Sequence, residues 1–266
     1  MQIAELWRYP VKSMLGHRLD EVPVGPGGIL GDRRFAVIDV ATGKVGSAKQ
    51  PRLWRALLHA RAVANGDAVH NVLPDGGQTT ATDPHIDDQL SRALGRPVRL
   101  SAVPFAEADI DRADPDEVLD QGVEAVVSAP QLVLGEAVPE ATFLDYAPLH
   151  LITTATLEHI GQPAPRYRPN LVIRTPPEHQ PFAENAWVGR TMALGEVVVR
   201  VVLPTPRCAI PTLEHGDLPR DPGALRTLMA QNRIDVPGFG VLPAAGVYAT
   251  VEQAGVLRSG DDVRIG

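Results

Sequence analysis

The chain has 266 residues, 44% of them hydrophobic, and 25 Lys and Arg against 32 Asp and Glu give a net charge of −7. That supports one large domain or two smaller ones with a real core, and the acidic balance excludes a general nucleic-acid binder, which needs a broad basic surface to displace counterions. A single cysteine excludes an internal disulfide and a self-contained iron–sulfur cluster. With no signal-peptide pattern at the start and no run near the roughly 18 apolar residues of a membrane span, a cytoplasmic protein with no membrane partner is expected.

The 24 glycines and 25 prolines break the chain into short pieces, so the expected fold is mainly β with a few short helices (α+β). Strand-like runs are residues 3–9, 35–40, 57–63, 98–103, 132–134, 171–174, 197–203, 246–251 and 263–265. Helical patterns cover 87–94, with Asp83 or His85 near its cap and Gly95 ending it, then 154–160 and 223–232, which sets Leu225, Leu228 and Met229 on one face. Residues 106–131 carry Glu107, Asp109, Asp111, Asp114, Asp116, Glu117, Asp120 and Glu124. They read as a solvated acidic connection between two halves rather than a metal site.

Basic residues occur singly at turns, which suits one small anionic ligand better than a polymer. Lys12 and Ser13 follow the first strand at a proline bend, Tyr9-Pro-Val-Lys-Ser13. Arg33 sits in the glycine-rich stretch that ends Gly31-Asp-Arg-Arg-Phe35, where the strand–GxGxxG–helix context of a dinucleotide fold is missing. In isolation Lys12 and Arg33 are surface charges or ligand contacts. In Arg166-Tyr-Arg-Pro-Asn170 a guanidinium can grip phosphate or carboxylate with two parallel hydrogen bonds, and Asn170 offers donor and acceptor together. Cys208 follows a buried strand in Leu203-Pro-Thr-Pro-Arg-Cys-Ala-Ile-Pro-Thr212, where the prolines forbid helix and stiffen the loop. Its sulfur beside Arg207 is a metal ligand, a nucleophile, or a small buried hydrophobe. The eight histidines form no metal pattern and read as structural or exposed, His150, His159, His179 and His215 included.

Taken in order, Tyr9-Pro-Val-Lys-Ser13, Gly31-Asp-Arg-Arg-Phe35, Ala48-Lys-Gln-Pro-Arg-Leu53, Phe143-Leu-Asp-Tyr-Ala-Pro-Leu-His150, Arg168-Pro-Asn170, Phe182-Ala-Glu-Asn-Ala-Trp187, Pro206-Arg-Cys208 and Gly260-Asp261 resemble the MOSC superfamily. That superfamily is named for the C-terminal domain of molybdenum cofactor sulfurases. The resemblance implies two intertwined β-barrel-like domains: an N-terminal MOSC barrel domain over 1–105, the acidic connection over 106–131, and a MOSC domain over 132–266. Within the superfamily the chain is similar to the amidoxime-reducing molybdenum proteins and their bacterial relatives. This implies a molybdenum pyranopterin cofactor (molybdopterin), with Cys208 as metal ligand and catalytic residue, and with Lys12, Ser13, Arg33, Arg168, Asn170 and Arg207 binding the cofactor. The implied partners are a small N-hydroxylated substrate and a separate electron-transfer protein, since the chain shows no flavin fingerprint and no counterpart of the ferredoxin-like extension some relatives carry. Pyridoxal phosphate is an association of the wider family only, as the desulfurase domain that uses it is not resembled here. Two alternatives stand beside the reductase: a non-catalytic carrier of molybdenum cofactor or of its sulfur, and a metal-free cysteine-dependent hydrolase or transferase.

Overall fold

A computed structural model describes residues 1–66, 68–105, 108–140 and 142–266. The architecture is mainly β, built around a nine-stranded sheet. Its order runs Val263–Ile265, Thr191–Leu194, Val197–Pro206, Gly240–Gln253, Leu149–Thr153, Leu171–Arg174, Gln2–Arg8 and His17–Leu19, with Arg233–Val236 hairpinned onto Gly240–Gln253. The first strand of the chain is thus paired with residues 171–174, far away in sequence, in antiparallel register from Gln2↔Arg174 to Leu6↔Leu171.

This pairing interleaves the two halves. Ile3, Leu6, Val22, Val24 and Ile29 share one buried cluster with Leu149, Leu171, Val199, Val247 and Leu257. A second cluster, Val11, Phe35, Val37, Trp54, Leu57, Val69, Leu90 and Val98, is drawn from the first hundred residues alone. Each fully buried Val, Leu, Ile or Phe is worth roughly 1.5–3 kcal/mol of transfer free energy, so both clusters are genuine cores.

The strand that leads to the cysteine is longer than the sequence pattern suggests. It continues through Pro204 to Pro206 because its pairing with Gly240–Gln253 slips between Val198 and Val199, Val201 and Leu203, and Pro204 and Pro206. A proline has no amide hydrogen for the ladder, and such slips are where a sheet tolerates one. Beyond it, the Arg207 amide donates to Pro243 O at 2.8 Å, and Ile210–Thr212 closes a 3₁₀ turn in a segment expected to stay free of helix. Pro211 is tolerated there because the first helical positions have no amide partner to lose.

Two further expectations change. Residues 57–59 belong to a 3₁₀ turn, Arg55–His59, and the strand begins only at Arg61, because Pro51 starts a short helix that runs into that turn. The acidic connection is ordered: Asp109–Asp111 pairs with Gln131–Val133, and Pro115–Gln121 is a helix. Asp114 caps that helix, accepting from the amides of Asp116 at 2.9 Å and Glu117 at 3.1 Å, with Pro115 at the first turn. Several of its carboxylates pair with cations from elsewhere: Asp111 with Lys44, Asp116 with Arg233, Glu124 with Arg55. Ala106 and Glu107, which open the expected connection, lie outside the described residues. Among the described residues no group of three or more His, Cys, Asp or Glu is placed to hold a metal ion, and no helix is long and apolar enough to cross a membrane.

Candidate functional site

One cleft gathers the sequence-predicted residues from both halves. Lys12, Ser13, Arg33, Ser47 and Lys49 line it from the first half, and Asp145, His150, Tyr167, Arg168, Asn170, Arg207, Cys208 and Tyr248 line it from the second. In a chain of net charge −7, five basic side chains converge here. Low-dielectric walls focus such a field on whatever anion enters.

The backbone at the cleft is locally strained. Among the described residues four non-glycine residues have positive φ, and three of them line the cleft: Ser13 at 64°, Arg33 at 44° and Arg168 at 54°. Each such conformation costs on the order of 1–3 kcal/mol and persists where surrounding structure over-determines it. The Ser13 hydroxyl accepts from the Ala48 amide at 3.0 Å, which leaves its own hydrogen free to donate. Asp32 fixes the next turn. It accepts from the Tyr9 amide at 2.7 Å and from Asn170 Nδ2 at 2.9 Å, and it pairs with Arg33.

Lys12 is buried, donating to Phe143 O at 2.8 Å and to Asp145 Oδ1 at 2.6 Å, and Lys49 approaches the same oxygen at 3.1 Å. Burial pushes the Lys12 ammonium down to about 8, against the pull of Asp145. Burial pushes the Asp145 carboxyl up, but Lys12 and Lys49 hold it well below its ordinary range. Arg168 contrasts with both. It has no carboxylate within ion-pair distance among the described residues, its two terminal nitrogens are buried without a hydrogen-bond partner, and burial together with Arg33 lowers it to about 10. An unsatisfied buried donor pair is expensive, and in a cationic cleft it marks a place for an oxyanion.

Arg207 and Asn170 are engaged by the protein itself. Arg207 Nη2 donates to Tyr167 O at 2.7 Å, and Nη1 lies 3.4 Å from His150 Nε2. The His150 ring is held neutral, well below its usual range, by burial and by Arg207, so it can accept from that guanidinium. Gly246, at φ +76°, makes room for the ring: a Cβ there would lie 2.3 Å from Leu151 O and 2.6 Å from His150 Nε2. Asn170 accepts from the His150 amide at 3.1 Å and donates to Asp32, so its side chain ties the two halves together. Cys208 is 6% exposed; it packs with Ala48, Leu58, Ile210 and Leu213 while lining the cleft. Beside it Tyr248 begins a run of aromatic contacts, to Tyr146 at 5.6 Å between ring centroids and from there to Phe239 at 5.7 Å.

The sequence assigns no role to Lys49, Asp145 or Tyr248, and His150, expected to be structural or exposed, is buried in the cleft lining. Lys49 and Asp145 lie inside stretches that carry the resemblance, but their value depends on contacts between distant parts of the chain, Lys49 with Asp145 and Asp145 with Lys12. A histidine with no metal spacing and an isolated tyrosine offer no local signal at all.

Two family profiles match the chain. The family profile described as "MOSC N-terminal beta barrel domain" matches residues 1–97, and the profile described as "MOSC domain" matches residues 139–264. The chain belongs to the MOSC-domain proteins, a molybdenum-cofactor-associated family. Among curated relatives, mitochondrial amidoxime reducing component 2 of Homo sapiens is 26% identical over 98% of this chain and 82% of its own length. Mitochondrial amidoxime-reducing component 1 of Mus musculus is 24% identical over 98% and 81%. The Rattus norvegicus component 2 is 31% identical over 47% of this chain and 38% of that protein. The solved YUAD protein from Bacillus subtilis aligns over 99% of this chain and 94% of its own at 9% identity, with a TM-score of 0.40, too low to add to the assignment.

Proposed function

We propose that the chain is a molybdenum pyranopterin-dependent oxidoreductase that reduces small N-hydroxylated molecules with electrons from a separate donor protein. The observation that carries this reading is the cleft itself, where one thiol meets five basic side chains, among them Arg168, whose terminal nitrogens have no hydrogen-bond partner. This donor set fits the cofactor. A soft thiolate suits a redox-active metal, and converging cations suit the phosphate of the pterin. The names of the curated relatives favour amidoximes as substrates.

In this reading Cys208 holds the metal and is the catalytic residue, while Lys12, Ser13, Arg33 and Arg168 hold the phosphate and pterin. Arg207 orients the cysteine loop through Tyr167 O and His150, and Asn170 braces the cleft. When bound, the cofactor supplies the two-electron reduction; overall the N–O bond breaks, two protons are taken up, and an amidine and water leave. Burial raises the Tyr248 phenol above its ordinary value, so it stays protonated and can donate to an oxygen departing from nitrogen. Tyr146 and Phe239 do not line the cleft themselves, but they continue the aromatic surface that starts at Tyr248, and we assign that surface to the organic part of a substrate.

Expression in a host that makes the cofactor tests this directly. Near-stoichiometric molybdenum and pterin are expected, falling sharply in Cys208→Ser and Lys12→Ala, together with amidoxime reduction by an artificial donor. Tyr146→Ala should then raise KM more for an aryl than for an alkyl amidoxime. Well-folded protein without metal or pterin would sink the reading. Stoichiometric transfer of cofactor to an apo-enzyme without turnover would instead point to a carrier. We further propose the division into 1–105, 106–131 and 132–266, to be checked by limited proteolysis. A cytoplasmic location is also proposed; the relatives are mitochondrial by name, so fractionation of the native cell decides it.

A further inference from the structure

We propose that the face of the Tyr9 ring is what holds the Arg33 and Arg168 guanidinium groups together as a seat for a dianion; this deepens, and rests on, the reading of the cleft as a phosphate-holding site. The guanidinium carbons of both arginines lie 4.4 Å from the Tyr9 ring centroid. Bringing two like charges this close costs energy, and their repulsion is felt: Arg33 is among the groups that lower Arg168. Arg33 has Asp32 to offset its charge, whereas Arg168 has no carboxylate within ion-pair distance among the described residues. What Arg168 does have is the negative face of an aromatic ring, an attraction that strengthens when water is excluded.

The rest of the local structure fixes that ring. Tyr9 is 1% exposed, its amide is anchored on Asp32, and its carbonyl accepts from the Arg33 amide at 2.8 Å. Gly16 lets the ring sit where it does, since a Cβ there would lie 2.7 Å from Tyr9 Cδ1. The Tyr9 hydroxyl is buried with no hydrogen-bond partner, so the π face rather than the oxygen does the holding. Arg33 Nη2 also donates to Arg168 O at 3.2 Å, which locks the two left-handed residues to each other. Tyr9 is therefore a positioning residue: it acts on the anion through the two arginines.

Inorganic phosphate is the probe, titrated calorimetrically into the full chain without cofactor. Tyr9→Leu is expected to weaken phosphate about tenfold, the loss of one desolvated cation–π contact, and Tyr9→Phe to restore it to within about twofold. A series of fluorinated phenylalanines at position 9 drains the ring face stepwise at nearly constant shape, and affinity should fall with each fluorine. That series decides the matter even if Tyr9→Leu fails to fold, because a purely structural ring would give a flat response. A flat series, Tyr9→Phe as weak as Tyr9→Leu, or wild-type protein that ignores phosphate would each overturn the proposal. Metal and pterin content of the co-expressed protein is measured separately, so a graded phosphate response without cofactor would remove the cofactor reading alone.

Discussion

Lys12 shows how burial tunes a single charge in this cleft. Its ammonium, lowered by burial to about 8, loses its proton in the folded protein well before it would in the unfolded chain. Two consequences of opposite sign follow. Between about pH 8 and the ordinary lysine range the unfolded state binds the extra proton, so stability from this group rises with pH. Over the same interval the cleft loses a cation, so its affinity for phosphate falls. Calorimetric titration at pH 7 and pH 9 should show this fall in the wild type and a much smaller one in Lys12→Arg, whose charge persists; equal falls in both would exclude Lys12 as the titrating group. Lys12, Ser13, Arg33, Arg168, Arg207 and Cys208 were picked out by the stretches that resemble the MOSC superfamily, and they line one cleft; local turn chemistry alone left Lys12 and Arg33 as surface charges or ligand contacts. Asp145 was not picked out, because an aspartate gains meaning here from Lys12, 133 positions away, and from Lys49 beside it. Asn170 was legible as a polar group, but its service to His150 and Asp32 depends on strand pairing that no local pattern reveals.

At the scale of elements, the helix Thr154–Ile160 and the 3₁₀ turn Ala183–Trp187 are joined by a buried carboxyl. Glu184 Oε2 accepts from Thr153 Oγ1 at 3.1 Å and Thr156 Oγ1 at 2.9 Å, while Oε1 has no partner. Burial raises this carboxyl above its ordinary value despite both hydroxyls. The unfolded chain therefore ionises first as pH rises, and the stability this group contributes below about pH 4.5 is lost as pH climbs through its folded value. Glu184→Gln keeps an oxygen for the two threonines without the buried charge. Relative to wild type it should gain stability on going from pH 5 to pH 8 in urea unfolding; a difference that does not change with pH would show that the charge is not borne there. The helix itself was legible from its pattern, and so were Leu171–Arg174 and the start of the cysteine strand. The helix Pro115–Gln121 was hidden by its acidity, although Asp114-Pro-Asp-Glu117 is a sound capping sequence. The extension of the cysteine strand through two prolines was hidden for a better reason: register slips belong to the pair of strands and not to either sequence.

For the whole molecule, the decisive fact is that strands from the first thirty residues complete the sheet and core of the second half. Gln2–Arg8 pairs with Leu171–Arg174, Glu21–Gly25 pairs with Gly255–Arg258, and Lys12 reaches across to Phe143 and Asp145. Chains above about 150 residues often unfold domain by domain, but here the interleaved core loses part of its residues if the first half leaves, and the core drawn from the first hundred residues is tied to the second half through Lys12. Two tryptophans report on the two cores: Trp54 packs in the cluster built by the first hundred residues, and Trp187 packs in the large interleaved one. Variants that retain one or the other should therefore give coincident urea midpoints. Under the proposed reading phosphate is held by residues from both halves, so it should shift both midpoints upward together by mass action on the folded state. Separate midpoints, with phosphate moving only one of them, would mean that the cleft is formed within a single half and that the interleaving contributes little to holding it.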